Sequence, residues 1–256
     1  MTWLSELLEP GRMVSTAIQV GSQVFLTACL WTALYAHTEV SAGLQEHQAV
    51  GYAVLAVLAS RLRPLSRDMA PDSFYRHMRE GTILYWFLRP LPPHRYHLVR
   101  ALGDQAHGLL WVLAGYGLCT TAGVVPLPDG RWTLPAFLVS MFLGQVIVYQ
   151  LSLILDLLCF WTVANSNALH VSHFVQSLLS GAFAPLWFFP GWFTTANSFL
   201  PFQSTLHIPL SIYVGRIPVN RVPREVAVQA VWCLLLWLIT RTLWKRAESR
   251  VAVQGG

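Results

Sequence analysis

The apolar residues of this chain fall into about six blocks, each near the length that crosses a bilayer. A helix rising 1.5 Å per residue needs roughly 20 apolar residues to span the hydrocarbon core. The polar background that a soluble fold requires is missing. Charged residues make up 11% of the 256 and hydrophobic ones 54%, whereas soluble domains carry about a quarter charged. Disorder is excluded as well, because 11 Trp, 13 Phe and 8 Tyr are far more apolar surface than a solvated chain tolerates. The chain reads as an all-α integral membrane protein, with 1–256 forming a single transmembrane domain.

Periodicity and breaker residues place the elements. In 1–12, Trp3, Leu4, Leu7 and Leu8 share one face of a short helix, the pattern of a helix lying in the membrane interface. Glu6 and Glu9 stand where a secretory signal would be basic. Spanning helices are predicted at about Val14–Tyr35, Gln45–Ser60, Ala106–Val125, Leu134–Leu158, Val171–Phe189 and Val226–Trp244. Ala49, Ala53 and Ala56 are small packing positions. Ser140-x-x-x-Gly144 would let helices approach closely, and Ser177-x-x-x-Gly181 is placed inside the fifth helix. A loop over 61–104 separates the second and third helices. Inside it Asp72–Leu88 has helical character, ended by Arg89-Pro-Leu-Pro-Pro93. Prolines and glycines break the apolar stretch 190–215 repeatedly, and apolar broken backbone at membrane depth must be shielded or line a cavity. That stretch is therefore expected to be re-entrant, lying outside between the fifth and sixth helices.

Charge orients the chain. The net charge is +5, and 16 of the 17 basic residues are Arg, with Lys245 the one lysine. Eight Arg, at 61, 63, 67, 76, 79, 89, 95 and 100, crowd the long loop. With both termini inside, the inner segments hold 13 basic residues and the outer ones four, which favours that orientation. No aromatic and basic binding module accompanies the Arg loop, so nucleic acid is not an expected partner.

The chemistry present is sparse. A P-loop needs G-x-x-x-x-G-K-[ST], and Lys245 has no such glycines before it. His94-x-x-His97 and His170-x-x-His173 each share a helical face but lack the glutamate of H-E-x-x-H. No G-x-S-x-G occurs. Cys29, Cys119, Cys159 and Cys233 are scattered through apolar settings without a C-x-x-C, which suits packing residues rather than a zinc or redox pair. No metal site is expected. Asp156 is placed at a helix end where it reaches water. The helix interiors carry neutral polar groups, Gln19, Gln23, Gln145 and Gln150, so a chain of buried charges for proton coupling is not expected.

One succession of motifs carries more. Glu80-Gly-Thr-Ile-Leu-Tyr-Trp-Phe-Leu-Arg-Pro-Leu-Pro-Pro-His-Arg-Tyr96 is followed by Phe160-Trp-Thr162. Then come Ser180-Gly-Ala-Phe-Ala-Pro-Leu-Trp-Phe-Phe-Pro-Gly-Trp192, Leu200-Pro-Phe202 and Gln254-Gly-Gly256. Their order and spacing resemble type-2 ABC exporter permeases, in particular the small six-helix bacterial permeases that include viologen and antibiotic exporters. The amino-terminal third matches that family in layout alone.

The resemblance implies six spanning helices in a bacterial cytoplasmic membrane, with an interfacial amino-terminal helix and broken external helices between the fifth and sixth. It implies a permease without its own ATP site, which pairs with a second permease and is driven by ABC ATPase subunits holding ATP and Mg. The family's coupling helix maps onto Arg79, Glu80, Gly81, Thr82, Arg89 and Pro90; composition alone would make these an ordinary solvated loop. By the same analogy Gln19, Gln23, Tyr52, Phe183 and Trp187 line a substrate path for an amphipathic or aromatic small molecule, the alternative being that the aromatics face lipid. An intramembrane lipid-modifying enzyme and an ATP-independent channel or carrier are the rival functions.

Overall fold

The computed structural model describes residues 10–36, 40–41, 43–62, 76–77, 80, 82, 93–128, 130–158, 161 and 166–254. The expected interfacial helix at 1–12 lies mostly outside them; its last residues belong to the first helix. Among the described residues eight α-helices carry the fold: α1 (Pro10–Tyr35), α2 (Glu46–Ala59), α3 (Pro93–Thr121), α4 (Thr133–Leu158), α5 (Ser166–Leu179), α6 (Gly191–Ser198), α7 (His207–Tyr213) and α8 (Val222–Gln254). A two-residue antiparallel ribbon, Val40–Ser41 with Leu44–Gln45, joins α1 to α2. Gly43 turns it at φ 74°, a left-handed conformation that glycine adopts without a Cβ clash.

Among the described residues three stretches are long and apolar enough to cross a membrane: Met13–Tyr35, Thr133–Leu158 and Val219–Ala247. In the first, Val14, Ile18, Phe25, Leu26, Leu30 and Leu34 are exposed while Val20, Trp31 and Tyr35 are buried. An apolar surface of that extent is stable only against lipid or another apolar partner. α2 and α5 have 14 residues each, about 21 Å of helix, short of a roughly 30 Å hydrocarbon core.

The core forms around α2, whose Ala49, Ala53 and Ala56 are all buried, as their small size predicted. It includes Tyr52, Leu58, Leu206, Leu210 and Tyr213. α3 approaches the turn after α2 so closely that a Cβ on Gly108 would lie 2.3 Å from the Arg61 carbonyl oxygen. α4 and α8 are joined by buried carboxamides. Gln229 Nε2 donates to the carbonyls of Ser140 (3.1 Å) and Ser204 (2.7 Å), its Oε1 accepts from Ser140 Oγ at 2.9 Å, and Gln150 Nε2 donates to Cys233 O at 3.1 Å.

Four expectations need correction. The third helix begins at Pro93 rather than Ala106, so residues 93–104 of the supposed loop are its first turns. Proline suits the opening position of a helix, where its missing N–H is no loss. The fifth helix stops at Leu179 rather than Phe189, because Gly181 takes φ 77°. Ser177-x-x-x-Gly181 therefore closes the helix instead of lying inside it, and a Cβ at Gly181 would lie 2.7 Å from the Tyr52 hydroxyl of α2. A Cβ at Gly144 would lie 2.7 Å from Thr205 O, so the close approach there is to the broken segment and not to a neighbouring helix. Finally, Asp156 is buried instead of reaching water.

Candidate functional site

The helices leave two polar regions at opposite ends of the bundle. At the ribbon end, the broken segment after α5 folds back over α2, α4 and the start of α8. Tyr52, fully buried on α2, meets this segment. Its hydroxyl donates to Gly181 O at 3.2 Å and lies 3.0 Å from Nδ1 of buried His207. The hydroxyl has one proton, so serving the carbonyl requires His207 Nδ1 to donate to the hydroxyl oxygen. Trp187 completes a three-ring cluster, its centroid 4.5 Å from that of His207 and 5.4 Å from that of Tyr52. Arg216 lies over the Trp187 ring at 5.8 Å and donates to Gly43 O at 2.8 Å. Gln48 accepts from the Gln45 N–H (3.1 Å) and donates to Val214 O (3.0 Å), tying the first turn of α2 to the end of α7. Tyr213 donates to Pro126 O at 2.9 Å, and its hydroxyl lies 2.9 Å from that of Tyr116. Ser211 Oγ bonds to the carbonyl of His207 one turn back.

At the other end, Arg76 and Glu80 form an ion pair at 2.6 Å, with side chains 47% and 42% exposed. The Glu80 N–H bonds to Arg76 O, whereas the Thr82 N–H reaches back five residues to His77 O at 2.9 Å. That second bond is the wide closure of a helix end. His77 Nδ1 and Thr82 Oγ1, 2.8 Å apart, fasten the same turn. The helix expected over Asp72–Leu88 is thus already closed at Thr82, ahead of Arg89 and Pro90. The closure follows from the sequence, since Gly81 stands where helix ends favour glycine.

Beside this end, His97 on α3 bonds through Nε2 to Asp156 Oδ2 on α4 at 3.0 Å, with side chains 12% and 6% exposed. Its Nδ1 lies 3.4 Å from Tyr149 OH. Leu153 and Leu157 of α4 pack with Ala247 and Trp244 of α8, and His94 sets its ring edge-on to Trp244 at 6.0 Å. His94-x-x-His97 thus serves as inter-helix packing, and among the described residues no cluster of three metal-ligating side chains forms.

The residues singled out from sequence separate into groups. Of the coupling set, Glu80 and Thr82 stand in the closed turn; Arg79, Gly81, Arg89 and Pro90 lie outside the described residues. Of the path set, Tyr52 and Trp187 meet in the ring cluster, while Phe183 is exposed and pairs with Phe174 at 5.6 Å. Gln19 and Gln23 share one exposed face of α1, where both accept hydrogen bonds from Arg61. Cys29 is exposed, Cys119 buried and Cys233 half-buried; Cys159 lies outside the described residues. Sequence reasoning passed over His207, Arg61 and Gln229. A signal for His207 existed: it is the one His, Asp, Glu, Lys or Arg between positions 190 and 214, and an ionisable group in an apolar segment marks a working position.

The chain was compared with known families and proteins. The family described as ABC-2 family transporter protein matches residues 22–255, a range that takes in both ends of the bundle. No curated protein and no solved structure matches it. A bundle of apolar helices with that match along nearly its whole length belongs to the ABC-2 transporter family, and the chain is a permease component of an ABC transporter.

Proposed function

We propose that the chain is an exporter permease that crosses a bacterial cytoplasmic membrane six times with both termini inside. It pairs with a second permease and is driven by separate ATPase subunits that bind ATP and Mg. The Arg76–Thr82 turn and the segment up to Pro90 face those subunits. The ribbon end, with Tyr52, Trp187 and His207, closes the far side. The cargo is an amphipathic or aromatic small molecule that passes Gln19, Gln23 and the aromatic positions.

The observation that carries this reading is the junction at His97. The segment proposed for ATPase docking precedes α3 in the chain, and the first turns of α3 are fastened to α4 by a largely buried charged hydrogen bond and to α8 through His94 and Trp244. A push on that segment reaches three helices at once. Charged, desolvated contacts of this kind hold geometry far better than solvated ones.

The test is reconstitution. Purified alone, the chain should hydrolyse no ATP; co-expressed with an ABC ATPase subunit, it should co-purify and support ATP-dependent movement of an amphiphile out of the cell. Transport by the permease alone would replace this reading with an ATP-independent carrier.

A further inference from the structure

The turn after α2 puts a positive charge at membrane depth. Arg61 Nη2 donates to Gln23 Oε1 at 2.6 Å and Nη1 to Gln19 Oε1 at 3.4 Å. Gln23 stands near the middle of Met13–Tyr35, about 15 Å or more from either end at 1.5 Å per residue. Arg61 reaches that depth because α2 is only 14 residues long. Among the described residues no carboxylate lies within ion-pair distance of its guanidinium, and both of its hydrogen-bond partners are neutral. Each glutamine uses Oε1 on the arginine and keeps one lone pair there beside its two Nε2 protons. The Nε2 donors have no partner among the described residues. The patch therefore offers a full positive charge and more donors than acceptors. It also lies on an exposed face of α1, where hydrocarbon would be a costly neighbour for a guanidinium.

We propose that Arg61, Gln19 and Gln23 form a binding site for the anionic head of an amphiphile, a carboxylate, sulfonate or phosphate. The remaining Nη protons of Arg61 and the two Nε2 groups are the donors such a group would take, next to a full positive charge. The inference rests on the permease reading and narrows its cargo from amphipathic molecules in general to amphipathic anions.

The test uses the full complex in phosphatidylcholine vesicles, with the four native cysteines replaced by alanine and Gln19→Cys introduced, which leaves the shorter Gln23 contact in place. Two thiol reagents of similar size are compared, a sulfonatoethyl and a trimethylammonioethyl methanethiosulfonate, each scaled to its rate with free cysteine. The anionic reagent should be favoured by about tenfold or more. Arg61→Gln should bring the ratio close to one, and Arg61→Lys should keep most of it. Failure of both reagents to label position 19, or an unchanged ratio in Arg61→Gln, overturns the proposal. With all native residues in place, dodecanoate should stimulate ATP hydrolysis more than dodecyltrimethylammonium, and Arg61→Gln should erase the difference; equal stimulation of the unaltered complex overturns it as well.

Protection of position 19 by dodecanoate in these vesicles assigns the site to a free amphiphile. Protection that appears only when phosphatidylglycerol is added assigns it to a lipid headgroup and overturns the cargo assignment. Loss of ATP-driven transport with the charge ratio intact would remove the permease reading while leaving the anion site.

Discussion

The two ends of the bundle solve the same problem with different chemistry. At the ribbon end the broken backbone is secured largely by neutral side chains bonded to carbonyls: Tyr52 to Gly181, Gln48 to Val214, Gln229 to Ser204, Tyr213 to Pro126. At the loop end carboxylates do the fastening, one pair exposed (Arg76–Glu80) and one largely buried (His97–Asp156). Neutral hydrogen bonds in an apolar setting fix a chain path at low desolvation cost. Charges are costlier to bury and couple over longer distances, which suits the end proposed to dock the ATPase. Stability should therefore fall when the ribbon end is altered, and coupling should fall when the exposed pair is.

The largest effect is expected at Gly144. A valine there must displace the Thr205 carbonyl, 2.7 Å from where its Cβ would lie, and overpacking of this kind reaches about 3 kcal/mol. Thermal unfolding in detergent should show a large loss; a wild-type midpoint would mean the broken segment is not seated on α4.

Next comes Asp156→Ala, which strands the buried imidazole N–H of His97 at about 1–3 kcal/mol. Asp156→Asn, which keeps an acceptor, should recover much of this in the same assay. Equal losses in the two variants would show that the charge and not the hydrogen bond matters. Tyr52→Phe removes one hydroxyl from Gly181 and His207 and should cost about 1 kcal/mol, the scale of polar contacts within membranes. A change near zero would place His207 in another partnership.

The smallest stability effect belongs to Glu80→Ala, at most about 0.5 kcal/mol, because its ion pair is solvated. Under the proposed function the same variant lowers transport and cargo-stimulated ATP hydrolysis together, with subunit co-purification unchanged. Wild-type transport would make the Arg76–Thr82 turn an ordinary solvated one.

Hydropathy made the lipid-spanning rods legible. The predicted Val14–Tyr35 and Leu134–Leu158 differ from the observed helices only near their starts, since unbroken apolar runs leave a helix as the one way to satisfy the backbone. What it hid was helix outside the hydrocarbon. His94, Arg95, His97, Arg100 and Asp104 gave the first turns of α3 a polar composition, and a window tuned to apolar residues reads that as loop. The fate of Asp156 was hidden for a different reason. Its partner His97 is 59 positions away, and no local pattern announces a pairing across two helices. Arg61 was counted in a basic loop because its partners Gln19 and Gln23 stand 42 and 38 positions away on another helix. The coupling set rests on motif order alone, and Pro90 drew the helix boundary beyond the closure that the structure places at Thr82.

The polar start of α3 also has a mechanical consequence. Its 29 residues make a rod of about 43 Å, longer by nearly half than the roughly 30 Å of hydrocarbon it would cross. A rod gripped inside the bilayer and projecting beyond it is a lever. With its tip about 15 Å from the grip, a 10° tilt shifts that tip by about 2.6 Å, and the bonds at His94 and His97 would carry the shift to both neighbouring helices. A flexible tether of the same length would absorb such a movement before it reached the membrane. Stiffness in the first turns of α3, more than any side chain within them, would then set how much of each stroke arrives at the cargo.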